Sequence, residues 1–168
     1  MTELSFRKYQ ASAVEAMFQL DEVCFSSHFR FSRAQLKHYA EKKNACVSMA
    51  YRGDALAGFS IVHVESASHQ GYVVTLDVEP SFRRGGLAAE LMRIGEEQAR
   101  LQGCSEMLLH VFTGNARAVA FYDRIGYERL GRTEYFYGRD EQGHSVDAWL
   151  YRRVLLPESV LRRARGER

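Results

Sequence analysis

Between residues 71 and 112 the chain sets out a short apolar run, a turn rich in arginine and glycine, an amphipathic stretch and a second apolar run. The first run, Gly71-Tyr-Val-Val-Thr-Leu-Asp-Val78, reads as a strand and stops at Pro80, which has no N–H to give to a ladder. Leu87, Leu91, Ile94 and Leu101 then recur on one face of a helix reaching about Gln102, with Gly103 as its C′ stop. Glu106 to Phe112 is apolar and short enough to be the next strand. A helix between two such strands permits one parallel crossover, which predicts a mixed sheet with helices on both faces.

The flanking segments extend that sheet. Leu4, Phe6 and Lys8 alternate with polar neighbours, so residues 4 to 9 read as a short strand. A helix from Ala11 to about Cys24 follows, with Val14, Met17, Phe18 and Leu20 placed for one face. After the break at Phe25-Ser26-Ser27-His28-Phe29, Ser32-Arg33-Ala34-Gln35 has the capping-box pattern and opens a second helix to about Lys42. Runs 45–52 and 55–65 flank Gly53-Asp54 and read as a hairpin. Thr113-Gly114-Asn115 leads into a short helix ending at Gly126, with Asn115 as its cap. Segments 127–137 and 145–155 form a closing antiparallel pair around the polar loop Gly138 to His144. The predicted order is β-α-α-β-β-β-α-β-α-β-β, an α/β fold with about seven strands.

Length and charge exclude several classes. A chain of 168 residues is most simply one domain, here 1–156, followed by a basic tail at 157–168 containing Arg162, Arg163, Arg165 and Arg168. Lys and Arg number 23 against 21 Asp and Glu, a balance that gives no electrostatic argument for nucleic acid. Cys24, Cys46 and Cys104 are odd in number and far apart, as expected of free thiols in a reducing compartment. The N-terminus lacks an apolar signal region and no stretch is long enough to span a bilayer, so the expectation is a soluble cytoplasmic protein without a membrane partner. The six histidines show no metal-ligand spacing, and no metal is expected.

The turn Arg83-Arg84-Gly85-Gly86-Leu87-Ala88 carries the first chemical signal. The opening amides of a helix lack internal acceptors and sit at the positive end of its dipole, and the two arginines add charge-assisted donors. Phosphates are natural guests of such a turn, although a solvated basic turn has the same composition.

A second segment joins it: Asn115, then Tyr122, then Gly126-Tyr127. Together, Arg83-x-x-Gly86-x-Ala88 and Asn115-x6-Tyr122-x3-Gly126-Tyr127 resemble the GNAT superfamily of acetyl-CoA-dependent N-acetyltransferases, and the predicted strand order is similar to theirs. The resemblance implies a GNAT-like, mostly antiparallel mixed sheet. It further implies that Leu76, Asp77, Val78, Arg83, Arg84, Gly85, Gly86, Leu87, Ala88 and Ala89, with Asn115 and Tyr122, hold acetyl-CoA as co-substrate. Within the superfamily, Leu109-His110-Val111-Phe112-Thr113-Gly114-Asn115 is most similar to the protein N-terminal acetyltransferases, including the ribosomal-protein alanine type. That likeness implies His110 as general base, Tyr72 as a holder of the catalytic water, and Tyr122 as the acid that protonates the departing thiolate. Phe25, Ser26 and Ser27, with Tyr135 and Tyr137, would form two walls around a peptide N-terminus. The first loop lacks the proline that commonly follows its phenylalanine, and Glu134-Tyr135-Phe136 stands where relatives often have adjacent tyrosines.

The chemistry of these side chains suits those roles. Histidine, with a pKa of about 6.5, is close to an α-amine at roughly 7.7 to 8.0, whereas lysine at about 10.4 is harder to deprotonate. Tyrosine, at about 10, stays protonated and can donate to a thiolate whose conjugate acid lies near roughly 8.5. Each residue also has a structural reading: Tyr122 as core, His110 as a satisfied strand histidine, Tyr72 as a good strand former and Asn115 as a cap alone. The expectation is an N-acetyltransferase whose acceptor is a protein N-terminal α-amine. The alternatives are a small-molecule enzyme acting on a polyamine, amino sugar or amino acid, with Asp21, Glu22, Glu134 and Asp140 available to an acceptor pocket, and a non-catalytic acyl-CoA-binding module.

Overall fold

The computed structural model describes residues 3–156 together with Val160, Arg163 and Gly166, so most of the basic tail lies outside the described residues. The elements are β1 (Leu4–Lys8), α1 (Val14–Cys24), α2 (Arg33–Ala40), β2 (Ala45–Arg52), β3 (Ala55–Glu65), β4 (Gln70–Val78), α3 (Leu87–Leu101), β5 (Glu106–Phe112), α4 (Ala116–Arg124), β6 (Glu128–Thr133) and β7 (Ala148–Val154). The strands follow the order β1-β2-β3-β4-β5-β7-β6, mostly antiparallel with one parallel pair, as the sequence predicts. Contacts group the chain into two compact units, Met1–His63 with Val73–Gln98, and Val64–Tyr72 with Ala99–Arg168.

In the first unit, β1 and β3 both run antiparallel to β2. Adjacent β2 residues serve opposite faces. Met49 joins Met17 and Leu20 of α1, Leu36 and Ala40 of α2, and Phe59 and Ile61 of β3. Ala50 joins Ala57, Val78, and Leu87 and Leu91 of α3. This is the period of two expected of a strand buried on both sides. The capping box forms as written: Ser32 Oγ accepts from the Gln35 amide at 3.1 Å, and the Gln35 side chain accepts from the Ser32 amide at 2.8 Å.

Gly58 is where β3 meets α3 and β4. A Cβ there would lie 2.9 Å from the Asp77 carbonyl oxygen and 3.1 Å from Leu91 Cδ1. The carbonyl belongs to a strand and cannot swing aside, so Gly58→Ala is expected to destabilise the fold by about 1–3 kcal/mol. Urea unfolding of the variant measures this, and an unchanged midpoint would refute the close approach.

In the second unit, β5 and β6 both pair antiparallel with β7. Tyr151, Met107, Leu109 and Cys104 are buried here. Two sequence expectations need correction. Leu101 is 77% exposed and Ile94 only half-buried, whereas Met92 and Ala99 are buried. The Gly103 turn, at φ 87°, brings the Cys104 amide back to the Ala99 carbonyl at 3.0 Å, so Cys104 fills the space that helical periodicity assigned to Leu101. The closing pair is also shorter than its alternation implied. Tyr135 adopts φ 55°, and its amide is taken by Asp147 Oδ1 at 2.9 Å, so the chain leaves the ladder after Thr133.

Candidate active site

In the first unit, the Arg83–Ala88 turn closes under the end of β4. The Val78 carbonyl accepts from Arg83 Nε at 3.1 Å and from the Cys24 thiol at 3.4 Å, tying strand, turn and the end of α1 together. Arg84 stands at φ 75° and Gly86 at φ 83°, and a Cβ on Gly86 would meet nothing within 4 Å. The turn is therefore curled and open at Gly86. Its carbonyl accepts from the Glu90 amide at 3.0 Å, while Leu87, Ala88 and Ala89 begin α3 with their amides facing its N-terminal end. These residues fit an anionic group such as a pyrophosphate. Leu76 is half-buried, whereas Asp77 and Val78 are buried, which leaves Asp77 to serve a ligand through its backbone alone.

The loop after α1 is rigidly held. The Phe25 amide donates to the Asp21 carbonyl at 3.0 Å, and Arg30 donates to the Phe25 and Glu22 carbonyls at 2.8 and 3.0 Å. Ser26 and Ser27 are exposed on it.

Beneath this loop lies a pair of acids that the sequence reading did not bring together. Asp21 and Asp77 are both wholly buried. Asp21 Oδ2 accepts from the Phe31 amide at 2.9 Å and Asp77 Oδ1 from the Thr75 hydroxyl at 2.6 Å. Their remaining oxygens, Asp21 Oδ1 and Asp77 Oδ2, are buried without a hydrogen-bond partner, and the two carboxyl groups are close enough for each to shift the other's titration. Burial, then the neighbouring charge of Asp21, pushes Asp77 well above the usual carboxylate range, and burial also raises Asp21. The signal was present in the pattern: Asp21 shares the apolar stripe of Met17 and Leu20, and Asp77 shares strand parity with Val73 and Thr75.

In the second unit a cluster forms around His110. Its Nδ1 lies 2.9 Å from the Tyr72 hydroxyl and its Nε2 lies 3.3 Å from Thr133 Oγ1. Phe136 stacks on the imidazole with centroids 4.0 Å apart and planes 14° apart. Tyr137 packs edge-on against Phe136 and Phe112, at 4.8 and 6.4 Å. Burial pushes the Tyr72 phenol up to about 12 and the Tyr137 phenol higher still, the latter aided by Tyr72, while burial lowers the His110 imidazole. Tyr72 thus keeps its proton and His110 is neutral near neutrality. Tyr72 and His110 are each expected from the sequence, in separate roles, whereas their direct contact and the part of Thr133 and Phe136 are not.

The other candidates of this unit are spread around it. Tyr122 is buried against the rings of Phe121, Tyr127 and Tyr151 at 5.1, 5.7 and 6.3 Å. Asn115 caps α4, its side chain accepting from the Ala118 amide at 3.1 Å. Tyr135 points outward, with the Arg139 guanidinium 4.6 Å from its ring. Asp140 is engaged by the Gln142 and His144 amides at 2.9 and 2.8 Å.

A sequence profile of the Acetyltransferase (GNAT) family matches residues 14–127, the span from α1 to the end of the Tyr122 segment. The chain belongs to the GNAT family. Among curated relatives, this GNAT chain is 34% identical over 79 residues to a mycothiol acetyltransferase of Streptomyces scabiei, covering 47% of this chain and 26% of that one. It is 33% identical over 70 residues to the chloroplastic GCN5-related N-acetyltransferase 6 of Arabidopsis thaliana, covering 42% and 24%. The chain therefore spans about a quarter of the length of these curated relatives. Solved structures share the fold over nearly the whole chain. The ribosomal-protein-S18-alanine N-acetyltransferase of Escherichia coli superposes with TM-score 0.79 at 17% identity, covering 92% of this chain and 96% of that one. Arabidopsis thaliana NAA60, solved with a bisubstrate analogue, gives 0.75 at 21%, covering 90% and 98%. Among the described residues no helix is long and apolar enough to cross a membrane, and no group of three or more metal-ligating side chains occurs.

Proposed function

We propose that this GNAT chain is an acetyl-CoA-dependent N-acetyltransferase whose acceptor is a primary amine, foremost the α-amine of a protein N-terminus. The observation that carries the reading is the 2.9 Å contact between the Tyr72 hydroxyl and Nδ1 of a neutral His110. Bound acetyl-CoA supplies a thioester whose carbonyl carbon an amine can attack. In the first unit the amides from Gly85 to Ala89 and the guanidinium groups of Arg83 and Arg84 would hold its pyrophosphate, with Leu76 to Val78 contributing backbone; in the second unit Asn115 and Tyr122 are the residues assigned to it.

Tyr72 and His110 remove the amine's proton. The proton passes, directly or through one water, to the Tyr72 oxygen as the Tyr72 proton moves to Nδ1, so the positive charge ends on the imidazole. A base of depressed pKa matches an α-amine at roughly 7.7 to 8.0 better than a lysine at about 10.4. Tyr122 gives its phenolic proton to the leaving thiolate. The residues assigned to the acceptor are Phe25, Ser26 and Ser27 in the first unit and Tyr135 and Tyr137 in the second. The odd number and wide spacing of Cys24, Cys46 and Cys104 support a reducing, cytoplasmic setting for this chemistry.

A small-molecule acceptor is the second reading, favoured by the mycothiol acetyltransferase likeness over nearly half of the chain. Against it, two of the acids available to such a pocket are already engaged, Asp21 in the buried pair and Asp140 in its loop. The test is incubation of the full chain with acetyl-CoA and, separately, N-terminal peptides, the same peptides with a blocked α-amine, a lysine peptide, and simple amines. Release of CoA with free α-amine peptides alone is the expected result. Release with simple amines alone moves the acceptor to the second reading, and no release with any amine favours an acyl-CoA-binding module.

A further inference from the structure

The closing hairpin does more than complete the sheet. Its departure from the ladder after Thr133 is fixed by Tyr135, whose amide is held by Ser145 Oγ and Asp147 Oδ1, each at 2.9 Å. Two further backbone bonds, Tyr137 N–H to Val146 O and Gly138 N–H to Tyr135 O, at 3.0 and 2.9 Å, lock the same bend. The bend leaves Phe136 40% exposed, an unusual place for a phenylalanine, yet lays its ring almost parallel on His110. Thr133, the last residue of β6, meets the imidazole edge at Nε2.

We infer that Thr133 and Phe136 are positioning residues for His110: Thr133 selects the tautomer with hydrogen on Nε2, and Phe136 covers one ring face, so that the Nδ1 lone pair stays aimed at Tyr72. The assignment rests on the reading of His110 as base. Both tautomers satisfy both contacts, so donor strength decides between them. A phenol is a better donor and a poorer acceptor than an aliphatic hydroxyl. Tyr72 O–H therefore donates to Nδ1 across the shorter contact, and Nε2–H donates to Thr133 Oγ1 across the longer one. A histidine χ2 is broad and roughly two-fold, so hydrogen bonds alone would let the ring turn over. A stacked neighbour opposes that rotation and keeps water off the face, which holds the ring neutral. The titratable groups beside the imidazole are Tyr72 from β4 and Tyr137, which stands behind Phe136.

The direct test is heteronuclear NMR of His110 in the full chain, reading tautomer and pKa in the parent protein and in Phe136→Ala, Phe136→Tyr, Thr133→Val and Thr133→Ser. The parent should show hydrogen on Nε2. Phe136→Ala should move the His110 pKa up toward about 6.5, and Phe136→Tyr should restore it. Thr133→Val should mix the tautomers, and Thr133→Ser should keep the parent's. Where the alanine variant does not fold, Phe136→Leu replaces it, keeping apolar bulk without a flat ring. Unchanged tautomer and pKa in both Thr133→Val and the Phe136 variant overturn the inference. Acetyl transfer separates it from the catalytic reading. If the NMR values move and the acid limb of the pH–rate profile does not, the clamp stands and His110 is not the base.

Discussion

His110→Ala is expected to lower kcat for α-amine acetylation by about 10²- to 10⁴-fold, the range for losing a positioned general base, with little change in the KM for acetyl-CoA. The pH dependence gives the sign. Burial lowers the imidazole pKa, so the neutral, proton-accepting form persists further into acid than a free histidine would allow. Parent activity should fall as pH drops through that depressed value. In the variant this limb disappears and only the slope of the acceptor amine remains. Tyr72→Phe removes the hydroxyl 2.9 Å from Nδ1 and should cost a similar factor. Because the two act as one proton path, the double variant should be little slower than either single one. Stopped-flow or continuous CoA-release assays from pH 5 to 9 measure all three. An unaltered profile in His110→Ala removes the histidine from the reaction.

The sequence reading was most accurate where structure is local. The strand at Glu106–Phe112, the Ser32 capping box and the Asn115 cap were legible because hydrophobic period and cap chemistry act within a few residues. The Arg83 to Ala88 turn was legible for the same reason, being bracketed by a strand and a helix. Phe136 was not, since its position follows from a bend enforced by Asp147, twelve residues from Tyr135. Thr133 reads in sequence as an ordinary strand residue, and only its pairing opposite Ala148 fixes where it sits. The failure at Leu101 has a related cause. Helical periodicity continues to the end of α3, but the Gly103 turn returns Cys104 to the core in its place. Asp21 and Asp77 are separated by 56 positions, and each looks like a lone acid in an apolar pattern until the two elements meet.

That acid pair gives the largest expected effect on stability. Asp77 holds its proton more tightly when folded than when unfolded, since burial and Asp21 both raise its pKa. A raised folded pKa contributes stability that is fully present below the unfolded value of 3.8 and is lost as pH rises through the folded one. Asp77→Asn keeps the shape of the protonated acid and stays neutral at every pH, and its carbonyl oxygen still accepts from Thr75. The parent should therefore lose stability between acid and alkaline pH more steeply than Asp77→Asn, and above neutrality the variant should be at least as stable. Asp77→Ala is the opposite case. It leaves the Thr75 hydroxyl without its acceptor beside a buried cavity and should cost about 2–4 kcal/mol. Urea unfolding at several pH values separates these outcomes, and parallel stability curves for the parent and Asp77→Asn would refute the raised pKa of Asp77. The pair joins the end of α1 to β4 one residue before Val78, whose carbonyl receives Arg83. Its ionisation should therefore loosen the Arg83 turn before the rest of the first unit, with hydrogen-exchange protection at Arg83 to Gly86, taken relative to the intrinsic base-catalysed rate, falling at alkaline pH in the parent but not in Asp77→Asn.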